Sequence, residues 1–224
     1  DVDFNLSREI FFRDLDIIKK AWMNETFEYK GHEVMLTPRP VQKPHIPIYV
    51  AAFSQPSTQK AAEIGENVLY APFAAHMVFG SLENAVNEFK RLSAQHGHKD
   101  KKASCSYFIN VTESKEETER TKRRMLKYFS GLVPAFPGDP RTAPPHIAYF
   151  VDIVERLKKM TTEDLTDASI IVGDAEYVTQ ALKKVEATGL AEVLLYFDFG
   201  GLSHIETMKA MERFAKYVLP HFSN

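Results

Sequence analysis

The stretch Pro47-Ile48-Tyr49-Val50-Ala51-Ala52-Phe53-Ser54-Gln55-Pro56-Ser57-Thr58-Gln59-Lys60-Ala61-Ala62 reads as an apolar strand that runs into a hydroxyl-rich turn and then into a helix. A corner of this kind can bind an anion, because the first amides of a helix have no intrahelical acceptor and the helix dipole favours negative charge. Ser54 with Ser57 or Thr58, three or four residues on, would add hydroxyl donors around the same point. The same residues also suit an ordinary helix start, since Ser and Thr are common caps and Pro is common in the first turn. On this segment alone both readings stand.

Upstream, Phe11, Leu15, Ile18 and Trp22 fall on one stripe of a helix over about 7 to 22. Residues 27 to 34 alternate around Gly31 and suggest a short hairpin. The stretch 38 to 47 is too rich in Pro for a helix or a central strand and serves as an extended connector. Downstream, the helix at about 57 to 65 stops at Gly65, and Val68-Leu69-Tyr70-Ala71 is a short buried strand. Ser81 caps a helix with Leu82, Val86, Phe89 and Leu92 on one face. Residues 104 to 111 form a strand, and Ser114 with Glu117 makes a capping box for a charged helix.

Residues 131 to 146 carry Pro134, Pro137, Gly138, Pro140, Pro144 and Pro145, a loop whose length suggests a lid or mobile surface segment, closed by a helix near 146 to 160. Asp174, after Ile170-Ile171-Val172-Gly173, caps a helix that turns Tyr177, Val178, Ala181, Leu182 and Val185 toward the core, and Gly189 stops it. Residues 192 to 199 are expected to be the strongest buried strand, followed by Gly200-Gly201 and a second capping box from Ser203 to Glu206. The last helix is expected to bury Ile205, Met208, Met211, Ala215 and Val218.

Alternating β and α elements with near-continuous apolar strands mean a parallel α/β sheet with helices outside. Four strands are counted, at about 48 to 52, 67 to 71, 103 to 111 and 192 to 198. A closed (β/α)₈ barrel needs eight strands and typically about 250 residues. The expectation is one α/β domain over 1–224, incomplete at its N-terminus, with a helical insertion or lid at 113–168.

A chain of 224 residues, 44% hydrophobic and 26% charged, can bury a substantial core. Its net charge of -2 offers no general attraction for nucleic acid or anionic membrane, and the short basic runs at 99 to 102 and 122 to 124 are mixed with acids and read as solvated faces. Neither nucleic acid nor membrane is expected as a partner. The single cysteine, Cys105, allows no intramolecular disulfide, and no apolar run reaches the length of a membrane span, so a cytoplasmic protein is expected. The start at Asp1 hints that something upstream has been removed or is not represented. His96-x-His98 with Cys105 lacks a carboxylate or second thiolate in register, so no metal is expected. A nucleophile elbow and a P-loop are also missing from the sequence.

The succession Trp22, Phe27-x-Tyr29-x-Gly31, Pro38-x-Pro40-x-Gln42-x-Pro44-x-x-Pro47-Ile48, Ala51-Ala52-x-Ser54, Ala61-Ala62-x-x-Gly65, Val172-Gly173-Asp174-x-Glu176-x-Val178 and Gly189-x-x-Glu192-x-Leu194-Leu195 resembles the bacterial luciferase-like flavin monooxygenases. The resemblance implies the C-terminal part of a TIM barrel, with the first helix here matching the one after the fourth strand. Groups that the family places on the first four strands, a catalytic histidine among them, have no counterpart here, and no catalytic residue is assigned. It implies that Ser54 and Ser57, with Thr58, hold the flavin phosphate, and that Ala52, Phe53 and Tyr70 lie at the cofactor with Asn110 and Asp198 toward the substrate. For Phe53, Tyr70, Asn110 and Asp198, core packing or a strand-end cap is the competing reading.

The implied activity is a flavin-dependent monooxygenase using reduced FMN, or alternatively the deazaflavin F420, with O₂ on a small organic substrate. A separate flavin reductase and a homo-oligomer are the implied partners. A non-catalytic flavin-binding or subunit-interaction protein of the same fold is the alternative, and an unrelated small α/β binding domain is a third.

Overall fold

Near-continuous apolar runs draw the strands into one parallel sheet, and the structure, a computed structural model describing residues 3, 6–135, 141 and 149–222, holds five of them among those residues rather than the four counted from sequence. Two compact units are distinguished, residues 1–48 with 137–152 and residues 49–136 with 153–224. The lid expected at 131 to 146 falls largely outside the described residues, which omit Pro137, Gly138, Pro140, Pro144 and Pro145.

In the first unit, α1 (Ser7–Met23) leads to a hairpin of β1 (Phe27–Tyr29) and β2 (His32–Val34). The hairpin closes through Lys30 and Gly31, both at positive φ, 52° and 78°, as a two-residue turn matched to strand twist requires. Of the stripe expected to pack, only Leu15 is buried, whereas Phe11 and Ile18 are exposed.

In the second unit the order is β3 (Tyr49–Ala52), α2 (Gln55–Glu63), β4 (Asn67–Tyr70), α3 (Pro72–Phe79), α4 (Leu82–Gln95), β5 (Ala103–Val111) and α5 (Lys115–Leu132). Then come α6 (Tyr149–Lys159), which crosses the unit boundary, β6 (Ile170–Gly173), α7 (Ala175–Ala187), β7 (Glu192–Tyr196) and α8 (His204–Arg213). β6 is the strand missed in the count, and α3 is a helix with no sequence expectation. Cys105 aligns with Tyr70 of β4 and Val193 of β7, and Phe108 with Tyr196 of β7 and Ile170 of β6. A strand has two edges, so β6 takes over the edge of β5 that β4 leaves.

Aligned residues of parallel strands point to the same face. Val50, Ala52, Val68, Tyr70, Cys105, Tyr107, Ile109 and Ile171 share one face and are buried against Ala61 and Ala62 of α2, Val86 and Phe89 of α4, and Val178 and Leu182 of α7. Ala51, Leu69, Ser104, Phe108, Asn110, Ile170, Val172, Leu194 and Tyr196 share the other. Met125, Phe129, Leu165 and Phe199 pack on part of that second face. Side chains stand roughly perpendicular to a sheet, so the reach of Tyr49 Oη on β3 to Glu192 Oε2 on β7 at 3.4 Å, across β4 and β5, marks that face as the concave one.

Further burial expectations are corrected, and Tyr177 of α7 and Ala215 are exposed rather than turned to the core. β7 is not the most buried strand, because among the described residues it pairs with β5 alone, and it leaves Glu192, Leu194 and Tyr196 exposed. Helix α8 turns Thr207 and Ala210 inward, and Ile205, Met208 and Met211 are exposed.

Candidate functional site

The C-terminal ends of the parallel strands face the loops that carry the candidate residues. After β3, Ser54 keeps an extended backbone and caps α2, its Oγ accepting from the Ser57 amide at 3.4 Å. The two hydroxyls meet at 3.0 Å. Pro56 removes one amide from the first turn, and that turn contains no acidic residue. An anion arriving there would therefore meet the Ser54 and Ser57 hydroxyls with no carboxylate of the first turn opposing it. Both serines are half-buried.

Thr58 lies elsewhere. Its Oγ1 is 3.1 Å from Tyr70 Oη, which in turn donates to Ala85 O at 3.2 Å, so the bond between the hydroxyls runs from Thr58 to Tyr70. Both residues are fully buried beneath α4, and burial pushes the Tyr70 phenol well above its ordinary pKa. The expected placement of Thr58 and Tyr70 at the cofactor is thus corrected: their polar groups are satisfied inside the helix-covered core. Ala52 is corrected likewise, because strand alternation turns it into that core and presents Ala51 on the open face. Cys105 is also on the core side, its thiol pushed up to about 12 by burial.

Phe53 is half-buried, its ring 6.4 Å from that of Phe73. Phe73 lies 6.4 Å from Phe129, and Phe129 6.4 Å from Phe108. A chain of rings thereby runs from the serine corner to the middle of the concave face. Asn110 is on that face, 3% exposed, with Oδ1 lacking any hydrogen-bond partner among the described residues. Asp198 is exposed in the loop after β7. Phe53 and Asn110 thus belong to the open side with Ser54 and Ser57, while Thr58, Tyr70 and Ala52 do not.

Sequence reading missed Phe73, Phe108 and Phe129. Phe108 was within reach, since it precedes Asn110 by two in a strand and must share its face.

Arginines brace the end of β5. Arg213 of α8 donates to Val111 O at 3.0 Å and Glu117 Oε1 at 2.9 Å, and pairs with Glu113 at 2.8 Å. Arg124 of α5 donates to Glu206 at 2.9 Å. The Ser203 amide, then Arg124, hold the Glu206 carboxyl down at about 2. Gly200, at φ 62°, admits α5 closely: a Cβ there would lie 3.0 Å from the Arg124 carbonyl carbon. Among the described residues no group of three His, Cys, Asp or Glu could hold a metal, and no helix is long and apolar enough to cross a membrane.

Residues 6–192 match the luciferase-like monooxygenase family. The chain is 25% identical over 214 residues to the flavin-dependent trigonelline monooxygenase, oxygenase component, of Acinetobacter baylyi (strain ATCC 33305 / BD413 / ADP1), covering 92% of this chain and 58% of that protein. It is similar to the crystal structure of monooxygenase RslO1 from Streptomyces bottropensis at a TM-score of 0.73 and 20% identity, over 99% of this chain and 64% of that one. An F420-dependent secondary alcohol dehydrogenase in complex with an F420-acetone adduct is similar at a TM-score of 0.67 and 11% identity, over 100% of this chain and 64% of that one. The chain therefore spans less than two-thirds of the length of these proteins. At such identities the structural likeness establishes the fold, parallel α/β of TIM-barrel type.

Proposed function

The chain belongs to the luciferase-like monooxygenase family, and from that premise we propose that it serves a flavin-dependent monooxygenase acting with reduced FMN and O₂ on a small organic substrate. The carrying observation is the pair of facing hydroxyls, Ser54 and Ser57, at the start of α2 and the C-terminal end of β3, where the first turn holds no acid. Those donors fit a phosphorylated flavin. Bound reduced, the flavin supplies the electrons for placing one oxygen atom of O₂ on the substrate.

The chain's own residues do the rest. Ser54 and Ser57 donate to the phosphate, Phe53 and Phe73 wall the adjoining space, and the rings of the concave face keep water from the reaction. On this reading residues 1–224 act as one luciferase-like domain with 113–168 as its insertion, and the protein works as a homo-oligomer in the cytoplasm. The similar Acinetobacter protein is named as an oxygenase component, which supports a separate flavin reductase as a partner. The deazaflavin F420 also carries a phosphate, and the absorption spectrum of the cofactor that co-purifies separates it from FMN.

The test is the Ser54→Ala, Ser57→Ala double variant. If each hydroxyl donates a charge-assisted bond, FMN binding weakens by about 2 to 4 kcal/mol. Unchanged FMN affinity in a fluorescence titration would remove the assignment.

A further inference from the structure

The concave face carries a group of rings that the phosphate corner does not need. Phe108 is its hub, with ring centroids 5.8 Å from Tyr128, 5.8 Å from Tyr196 and 5.5 Å from Phe199. Phe129 and Phe199 are buried and close the hub from behind, whereas Tyr128 and Tyr196 are 40% and 50% exposed. Half-exposed rings around a half-buried one leave aromatic surface for a ligand. Two residues along β5, on the same face, Asn110 is enclosed beside Val172 and its Oδ1 has no donor among the described residues. A buried acceptor in apolar surroundings is unfavourable until a donor reaches it. Charge narrows the ligand further. Arg124, one turn before Tyr128 on α5, is committed to Glu206, and exposed Asp198 follows Tyr196 by two residues. An anionic ligand would find Arg124 already engaged.

We propose that this platform receives the substrate, and that the substrate is an uncharged planar aromatic ring bearing an N–H or O–H donor. The proposal rests on the flavin-monooxygenase reading above for calling the ligand a substrate. Phe108, Tyr128 and Tyr196 stack on the ring, and Asn110 Oδ1 accepts from its donor. Tyr128 and Tyr196, the exposed members, turn aside to admit it.

Isothermal titration with indole and 1-methylindole, which differ only in the donor, tests the assignment on the native protein with and without FMN. Indole is expected to bind about tenfold more tightly than 1-methylindole. Tyr196→Ala, a change at an exposed side chain, weakens both by about fivefold. Asn110→Leu abolishes the preference, because the Oδ1 acceptor is removed while the size and shape of the side chain are kept. Equal binding of the two indoles by the native protein overturns the proposal, as does binding of neither. FMN binding without an indole preference defeats this inference alone. An indole preference in a protein that does not bind FMN upholds the platform and defeats the flavin reading.

Discussion

Tyr70 illustrates how strand alternation decides what a residue can do. Its ring enters the helix-covered core, where Oη joins Thr58 Oγ1 to Ala85 O. Tyr70→Phe would strip a partner from both and is expected to cost about 1 to 3 kcal/mol in urea denaturation. FMN affinity should not change. A loss of FMN binding at unchanged stability would return Tyr70 to the cofactor side. Ser54 and the helix start were legible because capping is local chemistry between residues three apart. The fate of Thr58 was not, because one further residue carries the side chain round to the face that packs on the sheet, and only the register of β4 shows that Tyr70 waits there.

At the scale of elements, α5 and α8 are clasped by Arg124 with Glu206 and by Arg213 with Glu117 and Glu113. Glu206 has a folded pKa of about 2 against an ordinary 4.5. A carboxylate with a depressed folded pKa adds stability that is fully present above the unfolded value and lost as pH falls through the window down to the folded one. Denaturant midpoints measured across that window should therefore fall with acid, and Glu206→Gln should flatten the fall. An identical pH profile for the variant would show that the clasp contributes nothing. The elements themselves differ in legibility. Helices α4 and α7 announced themselves by amphipathic spacing, and the Ser114 cap and the Ser203 capping box by their residue types three apart. The Glu117 side chain, however, accepts from the Glu113 amide, one residue beyond the Ser114 cap. Helix α3 was invisible because Pro72 to Phe79 is apolar on nearly every side apart from His76, so no stripe marks it. β6 is as long as β3 and β4, and its apolar run Ile170-Ile171-Val172 was read only as the lead-in to the Asp174 cap.

For the whole molecule, the open side of the sheet sets the expectation. Among the described residues, β3 pairs only with β4 and β7 only with β5, so each leaves one edge unpaired. Leu194 and Tyr196 on β7, with Ile205, Met208 and Met211 on α8, are exposed as well. Unpaired edges and apolar patches drive association. A polypeptide of these 224 residues alone is expected to show a light-scattering mass that rises with concentration. Leu194→Lys should lower that rise by placing charge on the edge strand. A concentration-independent monomer mass would mean that these surfaces are not sticky enough to matter.

The sequence by itself determined the parallel α/β class, most element boundaries, the Ser54 corner and the family, since each rests on patterns within a few residues or on their order along the chain. Tertiary structure decided the rest. Which face of each strand meets helices follows from inter-strand register, so it alone separated Ala51 from Ala52 and Asn110 from Tyr70. Curvature and edge position exposed β7 although its residues are as apolar as a central strand's. The aromatic platform joins residues of β5, α5 and β7, distant in sequence, and no local pattern could have foretold their meeting around Phe108.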